Sequence, residues 1–399
     1  MLALILSPFY VAIIYWVCRR WYKFVTTLNI KNKRLDFWLK HFSWSMFILT
    51  LIIGVAFLLP EKAAGLKRIL SQIGSYWLGI SLYLILFVAV VDLCRWIYSK
   101  IKKDEYNDFK ARLICTIIII VGTVSVSTYG IINAKIVRTT EYTIEINKDG
   151  GEFDEMTIAL FGDPQFGYNI GDYHLKQAVD IINSNDVDLV CIAGDIFDNQ
   201  YSAIKDPDKL ISLFNQIESK YGVYGVLGNH DVEEPILCGF TFNDKNIKDK
   251  VASDEMLQFI KDSNINLLYD EGVTIADSVV LYGRADEERP NLGNATRKSA
   301  SEIASEVDTT KPFLVLDHEP REYEELEEAG VDLMMAGHTH DGQLWPTKIA
   351  TDIIWTNPCG LYVSNAFHGI TTSGLGLFGP NMRVGTIAEV CIIHVKFTS

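Results

Sequence analysis

The stretch Leu189-Val190-Cys191-Ile192-Ala193-Gly194-Asp195-Ile196-Phe197-Asp198 decides the fold. Five consecutive apolar residues without polar alternation, too few for a helix, predict a strand buried on both faces. A glycine lets the chain turn sharply at its end, and an aspartate follows at once. Four other runs end in a comparable way. Thr157–Phe161 leads into Gly162-Asp163-Pro164-Gln165, and Val223–Leu227 into Gly228-Asn229-His230-Asp231. Phe313–Leu316 passes through Asp317 to His318, and Leu333–Ala336 runs into Gly337-His338-Thr339-His340. Stretches such as His174–Asn183 and Pro207–Lys220 have a helical period and lie between the strands. This alternation predicts an α/β core. In open α/β sheets, ligands bind beyond the carboxyl ends of the strands.

The side chains at those ends limit the chemistry. Asp163, Gln165, Asp195, Asn229, His318, His338 and His340 offer carboxylates, amide oxygens and imidazoles, with no thiolate among them. That set suits manganese, iron, zinc or magnesium. It is too large for one tetrahedral ion, whereas two divalent ions sharing a carboxylate would use it all. Such pairs, roughly 3.5–4 Å apart, activate water and stabilise both oxygens of an in-line displacement at phosphorus. Taken singly, Asp163 and Asp195 could be helix N-caps, and Gly228-Asn229 or the His338/His340 pair could be turns. Neither explains why five strand ends are decorated. The isolated His41, His174, His368 and His394 are given no role.

Upstream the composition changes. Residues 1–134 hold 16 Lys and Arg against 6 Asp and Glu, whereas the rest of the chain holds 20 against 44. Leu2–Cys18, Phe42–Leu59, Tyr76–Cys94 and Leu113–Ala134 are each about as long as a membrane-spanning helix, roughly 17–25 residues. The first lacks a basic leader and a small-residue cleavage site, so it is expected to span rather than be removed. The loops after the first and third spans are the richer in Lys and Arg, which places both chain ends outside the cytoplasm. Trp16, Trp21, Trp38, Trp44, Trp77 and Trp96 lie near span ends as interfacial anchors. Asp92, also near a span end, is expected to snorkel to the boundary. The expected organisation is a membrane region over 1–134, a linker over 135–156 and a catalytic domain over 157–399. That domain would sit outside the cytoplasm on a multi-pass cell-membrane protein. An acidic domain offers no basic stripe for a phosphate backbone, so nucleic acid is not an expected partner. The seven cysteines include no CxxC spacing and are expected to be inert thiols, with a Cys238–Cys359 bridge left open.

In this order the five clusters resemble the calcineurin-like metallophosphoesterase superfamily, whose pattern runs D-x-H, G-D-x-x-D, G-N-H-D/E, a lone H, then G-H-x-H. The likeness extends from Phe161 to Gln343 and more loosely to Val395. The tail Ser373–Val390, with Gly374, Gly376, Arg383 and Glu389, is similar to a bacterial membrane-linked subgroup that includes hydrolases of nucleotide- or lipid-linked phosphates. The resemblance implies an α-β-β-α sandwich after the four transmembrane helices. It also implies one metal on Asp163, Gln165, Asp195 and His340, and a second on Asp195, Asn229, His318 and His338. His230 would protonate the leaving oxygen, oriented by Asp231, with Asp198 supporting the ligands from outside. Gln165 departs from the pattern, which has histidine there. An amide oxygen is the weaker ligand and favours manganese, iron or magnesium over zinc.

The expected activity is metal-dependent hydrolysis of a phosphomonoester, phosphodiester or pyrophosphate, with a lipid- or envelope-linked substrate favoured. The alternative is an inactive metal-binding receptor or scaffold, for which Gln165 is the only feature. Arg284 and Arg383 are candidates to grip phosphate oxygens. The acidic run Glu322–Glu328 is expected to be a solvated helix, and Asn291–Thr310 a surface excursion. The orientation has a direct check. Protease added to intact cells should degrade the domain; protection of the domain would invert the assigned topology.

Overall fold

The computed structural model describes residues 2–102, 109–237, 240–241, 251–289, 291–293 and 297–398. They divide into two compact units. The first holds α1 (Leu2–Thr27), α2 (Lys33–Leu58), α3 (Ala64–Lys102) and most of α4 (Phe109–Asn133). Two short later segments, Ile236–Phe242 and Gly379–Met382, group with these helices. Among the described residues, α2, α3 and α4 are long and apolar enough to cross a membrane. The other expected span, Leu2–Cys18, falls in α1, but its first side chains lie outside the described residues.

The helices are tied by the polar groups that their apolar surroundings force together. Asn32 caps α2 by accepting from Arg34 N and Leu35 N. Trp77 Nε1 donates to Thr50 Oγ1 at 2.8 Å, and Tyr10 and Ser81 share a hydrogen bond of 2.6 Å. Asp92 does not merely snorkel. It pairs with Arg20 of α1 and lies 3.9 Å from Arg95, because a carboxylate beside a span is cheaper paired than alone.

The second unit is a sandwich of two six-stranded sheets. In chain order its strands are β1 (Val137–Ile146), β2 (Glu155–Phe161), β3 (Leu189–Ala193) and β4 (Val223–Val226). The two-residue strands β5 (Ile236–Leu237) and β6 (Phe240–Thr241), which belong to the first unit, pair antiparallel with each other. Then come β7 (Ile265–Leu267), β8 (Glu271–Ile275), β9 (Val279–Gly283), β10 (Phe313–Leu316) and β11 (Leu333–Ala336). The last three are β12 (Gly360–Ser364), β13 (Phe367–Thr371) and β14 (Ala388–Phe397). One sheet runs β1-β14-β2-β3-β4-β7 and the other β12-β13-β11-β10-β9-β8. Strands β2, β3, β4 and β7 are mutually parallel, as are β9, β10, β11 and β13.

The segment expected to be a linker is a strand. Val137–Ile146 pairs with β14 over its whole length, and its burial alternates as a half-covered edge strand requires. Thr139, Thr140 and Thr143 with Tyr142 are good strand formers whose polarity disguised them.

Strand period explains the layers. Ile158, Leu160, Cys191, Leu281, Leu314, Leu316, Leu333 and Met335 meet between the sheets. Alternate residues of the first sheet, such as Ala159, Phe161, Val190 and Ile192, pack under α5 (Asp172–Asn183), α6 (Pro207–Phe214) and α7 (Asp254–Asp262). On the far side Val280, Tyr282, Phe313, Val315 and Met334 are covered by α8 (Ala300–Ser305) and α9 (Tyr323–Glu328). The result is the α-β-β-α order. Removing the Met335 side chain, fully buried between the sheets, should cost about 2–5 kcal/mol. The check is a lowered melting temperature for Met335→Ala in the detergent-solubilised full chain; an unchanged one would deny the inter-sheet packing.

Candidate metal centre

Parallel strands place like ends together, so five apolar runs deliver their terminal side chains to one edge of the sandwich. The turns after them are tight. Gly194 has φ +76°, and a Cβ there would lie 2.7 Å from Gly228 N and 2.8 Å from His318 Nδ1. Asp163, Gln165, Asp195, His338 and His340 also adopt left-handed backbone, with φ between 46° and 70°. Such residues cost roughly 1–3 kcal/mol each outside glycine and cluster where side chains must be aimed.

Four donors meet at one point. His318 Nε2 lies 3.0 Å from Asn229 Oδ1, 3.0 Å from His338 Nδ1 and 3.3 Å from Asp195 Oδ2. Asn229 Oδ1 and His338 Nδ1 are 3.2 Å apart. The His318 tautomer is set from behind, because Nδ1 donates to the Ala193 carbonyl at 2.8 Å and leaves Nε2 free to ligate. Beyond Asp195 lies a second group. Gln165 Nε2 is 3.4 Å from Asp195 Oδ2, and His340 Nε2 is 3.8 Å from Asp163 Oδ1. Gln165 Oε1 and His340 Nε2 are buried without a hydrogen-bond partner. Orphaned acceptors beside buried carboxylates fit divalent cations, and the donor set is that of a hard or borderline metal.

The electrostatics point the same way. Burial pushes Asp163 up to about 7, despite the opposing charge of His318. Burial also disfavours charge on Asp195, yet His318, His230 and the bonds they donate hold its pKa below the ordinary carboxylate range. For His318, burial works against the cation, but Asp195, Asp163 and Asp286 hold its pKa well above the ordinary value. A proton on His318 thus supplies positive charge where a metal ion would.

Asp231 does not orient His230. Its two oxygens accept from Phe197 N and Gly228 N, each at 2.8 Å, and so clamp the two ligand-bearing loops together. The carboxylate facing the His230 ring is Asp198, with Oδ1 3.9 Å from Nδ1. Burial raises Asp198 to about 7 and lowers His230 below its ordinary value.

Arg284 and Arg383 are both fully buried and cannot reach a substrate phosphate. Arg284 spends its guanidinium on Asp317, Glu322 and the Lys298 carbonyl. Arg383 donates to the carbonyls of His340, Ser373, Gly374 and Gly376, fastening the His340 turn to the tail. Burial in a polar cradle, not display, is what these arginines achieve. Glu322 is likewise no bystander of a solvated helix, since it also pairs with Arg297 at 3.0 Å.

The expected surface excursion also contributes. Asn291 is fully buried and donates to the Gly228 carbonyl at 2.7 Å, while Arg297 grips Asp317 at 2.6 Å. Asp317 in turn accepts from His318 N at 2.7 Å. Glu288 accepts from Asn229 Nδ2 at 3.2 Å, which turns the amide oxygen toward the imidazoles. No periodic pattern flags these residues; their polarity in a loop looks like solvent exposure. Cys359 is a free thiol, and Cys238 lies outside the described residues.

Residues 156–342 match the family described as calcineurin-like phosphoesterase. An uncharacterised metallophosphoesterase of Helicobacter pylori is 24% identical over 274 residues, which cover 67% of this chain and 65% of that one. A transmembrane protein with a metallophosphoesterase domain from Danio rerio is 25% identical, over 70% of this chain and 62% of its own. An uncharacterised metallophosphoesterase of Aquifex aeolicus is 25% identical, over 67% of this chain and 95% of its own. The chain therefore spans a little under two thirds of the length of the first two relatives.

Metal binding should depend on pH. With Asp163 at about 7 in the folded, metal-free chain, the carboxylate gives up a proton to bind a cation. Affinity should rise with pH through that value and go on rising above it until the proton held on His318 is displaced as well. The sign for stability is opposite without metal: a carboxyl raised on folding makes the metal-free chain lose stability as pH climbs from the ordinary carboxylate range to about 7. Calorimetric titration with manganese in buffers of different ionisation heat would check this, and binding with no proton release would contradict it.

Proposed function

We propose that this domain, a member of the calcineurin-like phosphoesterase superfamily, hydrolyses a phosphomonoester, phosphodiester or pyrophosphate with two divalent ions held on either side of Asp195. The observation carrying this reading is the meeting of Asp195, Asn229, His318 and His338 donors within hydrogen-bonding distance, flanked by Asp163, Gln165 and His340. Six further donors around one shared carboxylate suit two ions. Bound there, the ions would supply an activated water and charge stabilisation for the phosphoryl oxygens. Gln165 leaves the first position with three ligands of full strength, which favours manganese, iron or magnesium.

The chain's own residues do the rest. His230 presents a buried ring whose Nδ1 lacks a hydrogen-bond partner, and burial lowers its pKa. With Asp198 facing it, and a substrate phosphate adding negative charge, the ring would hold a proton for the departing oxygen. His230 N also donates to Asp195 Oδ1 at 2.7 Å, so the same residue fixes the shared carboxylate. Asp231, Asn291 and Arg383 keep the loops in register without touching substrate.

Among the described residues, three helices long and apolar enough to cross a membrane make a lipid-linked or cell-envelope phosphate the favoured substrate. The orientation follows the basic loops and puts the domain outside the cytoplasm.

The test is turnover of p-nitrophenyl phosphate and its bis-ester by the full chain with added manganese. His230→Ala should lower kcat by about 10²–10⁴ while leaving metal content intact. Asn229→Ala should lose one metal as well as turnover. Full activity in either variant, or no turnover by the parent chain across a metal panel, would overturn the assignment.

A further inference from the structure

Six arginines lie beyond residue 134, and five of them are engaged elsewhere. Arg138, on the edge strand β1, reaches the Ile136 carbonyl at 3.5 Å. Arg284, Arg297 and Arg383 are spent on buried carboxylates and carbonyls, and Arg289 is buried with Nη2 3.0 Å from Glu234. The sixth, Arg321, follows the candidate ligand His318 by three residues and keeps 44% of its side chain exposed.

A half-exposed arginine ordinarily keeps its rotamer freedom. Arg321 does not. Its Nε donates to Glu319, whose own side chain is almost fully buried, and lies 3.7 Å from Glu287. Its guanidinium rests over the ring of Trp355, with Cζ 4.4 Å from the centroid. Trp355 follows α10 (Thr347–Ile354) and reaches the centre itself, its ring 5.2 Å from that of His338. Nη1 and Nη2, the two arms of the fork, have no hydrogen bond among the described residues.

The space beside them can hold a ligand. Arg321, Trp355, Glu287, Ile354 and Tyr362 line a cavity of about 370 Å³, and small-molecule sites run roughly 300–1,000 Å³. The acidic residues around it do not cancel the fork. Glu322 is committed to Arg284 and Arg297. Glu324 and Glu325 are exposed, where water and salt screen them.

We propose that Arg321 determines specificity: its fork binds the second phosphate of a diphosphate whose first phosphate lies at the metal centre, so that diphosphates are preferred to monoesters. A planar fork matches two oxygens of a phosphate, and anchoring it beforehand removes the cost of ordering it on binding. One ring touches both the guanidinium and His338, a separation on the scale of adjacent phosphates in one P–O–P unit. A monoester fills the metal centre and leaves the fork empty. The assignment rests on the phosphoesterase reading and narrows its three ester classes to one.

The test compares uridine monophosphate with uridine diphosphate, which differ by one phosphate, on the manganese-loaded full chain. The parent should show kcat/KM for the diphosphate about tenfold or more above that for the monophosphate. Arg321→Gln should raise KM for the diphosphate about tenfold or more, hold its kcat within about threefold, and leave the monophosphate within about twofold of the parent. Arg321→Lys, which keeps the charge but not the fork, should recover only part of the loss. A parent that prefers the monophosphate, equal loss on both substrates, or no loss on either overturns the proposal. If the parent hydrolyses neither nucleotide, it is the hydrolase reading that fails. Calorimetric binding of methylenediphosphonate, set against inorganic phosphate, then decides the fork: Arg321→Gln should weaken the first about tenfold or more and spare the second, and equal effects on both overturn it.

Discussion

Two carboxylates with almost no access to water, Asp163 and Asp195, are the constraint on which the rest depends. Burying an uncompensated carboxylate costs several kcal/mol, so the surroundings must supply positive charge. The chain supplies some of it: His338 N donates to both oxygens of Asp163 at 3.0 Å, and His230 N and the His318 ring serve Asp195. That provision is incomplete. Asp163 remains raised to about 7, and the donor atoms of Gln165 and His340 facing the same space have no hydrogen bond. A site that concentrates negative charge and open donors is built for cations.

Holding that charge in place explains the polar groups buried behind it. Asp231 closes the gap between the loops after β3 and β4, and Asn291 secures the second of these from its far side. Asp317 fixes the His318 backbone and is itself neutralised by Arg284 and Arg297. Arg383 gathers four carbonyls from the His340 turn and the tail. Each of these would be costly alone in an apolar interior, and each has at least one partner in the same network, although Arg284 Nε, Arg297 Nε, Arg383 Nε and Asn291 Oδ1 are left without a hydrogen bond. The left-handed backbone at five donor positions is the strain that this network has to hold.

The five strands and the donors at their ends are legible because burial on both faces leaves continuous apolar runs, and glycine marks where four of them must turn. Residues outside that grammar are not. Val137–Ile146 looked like a linker because its strand pattern is written in Thr, Tyr and Glu. Asn291 and Arg297 sit in a loop, where polarity suggests water, although both point inward. Arg284 and Arg383 invited a phosphate-binding role because arginine favours phosphate, yet the same fork binds buried carboxylates and carbonyls equally well. Asp231 is next to His230 in sequence but accepts from Phe197 N and Gly228 N, because adjacency does not decide which group a side chain faces in a tight turn. The apolar stretch around Ile349–Ile354 has a helical period but no partner in the sandwich, something sequence cannot tell from a core helix.

The claim at the centre of this account is that Asp195 is shared by two ions. Elemental analysis of the purified full chain, loaded from a manganese, iron, zinc and magnesium panel, tests it most directly when set beside Asp195→Asn. The account predicts about two ions per parent chain and loss of both in the variant, since neither position survives without the common oxygen donor. A parent chain that holds no metal, or a variant that keeps its full complement, would contradict it.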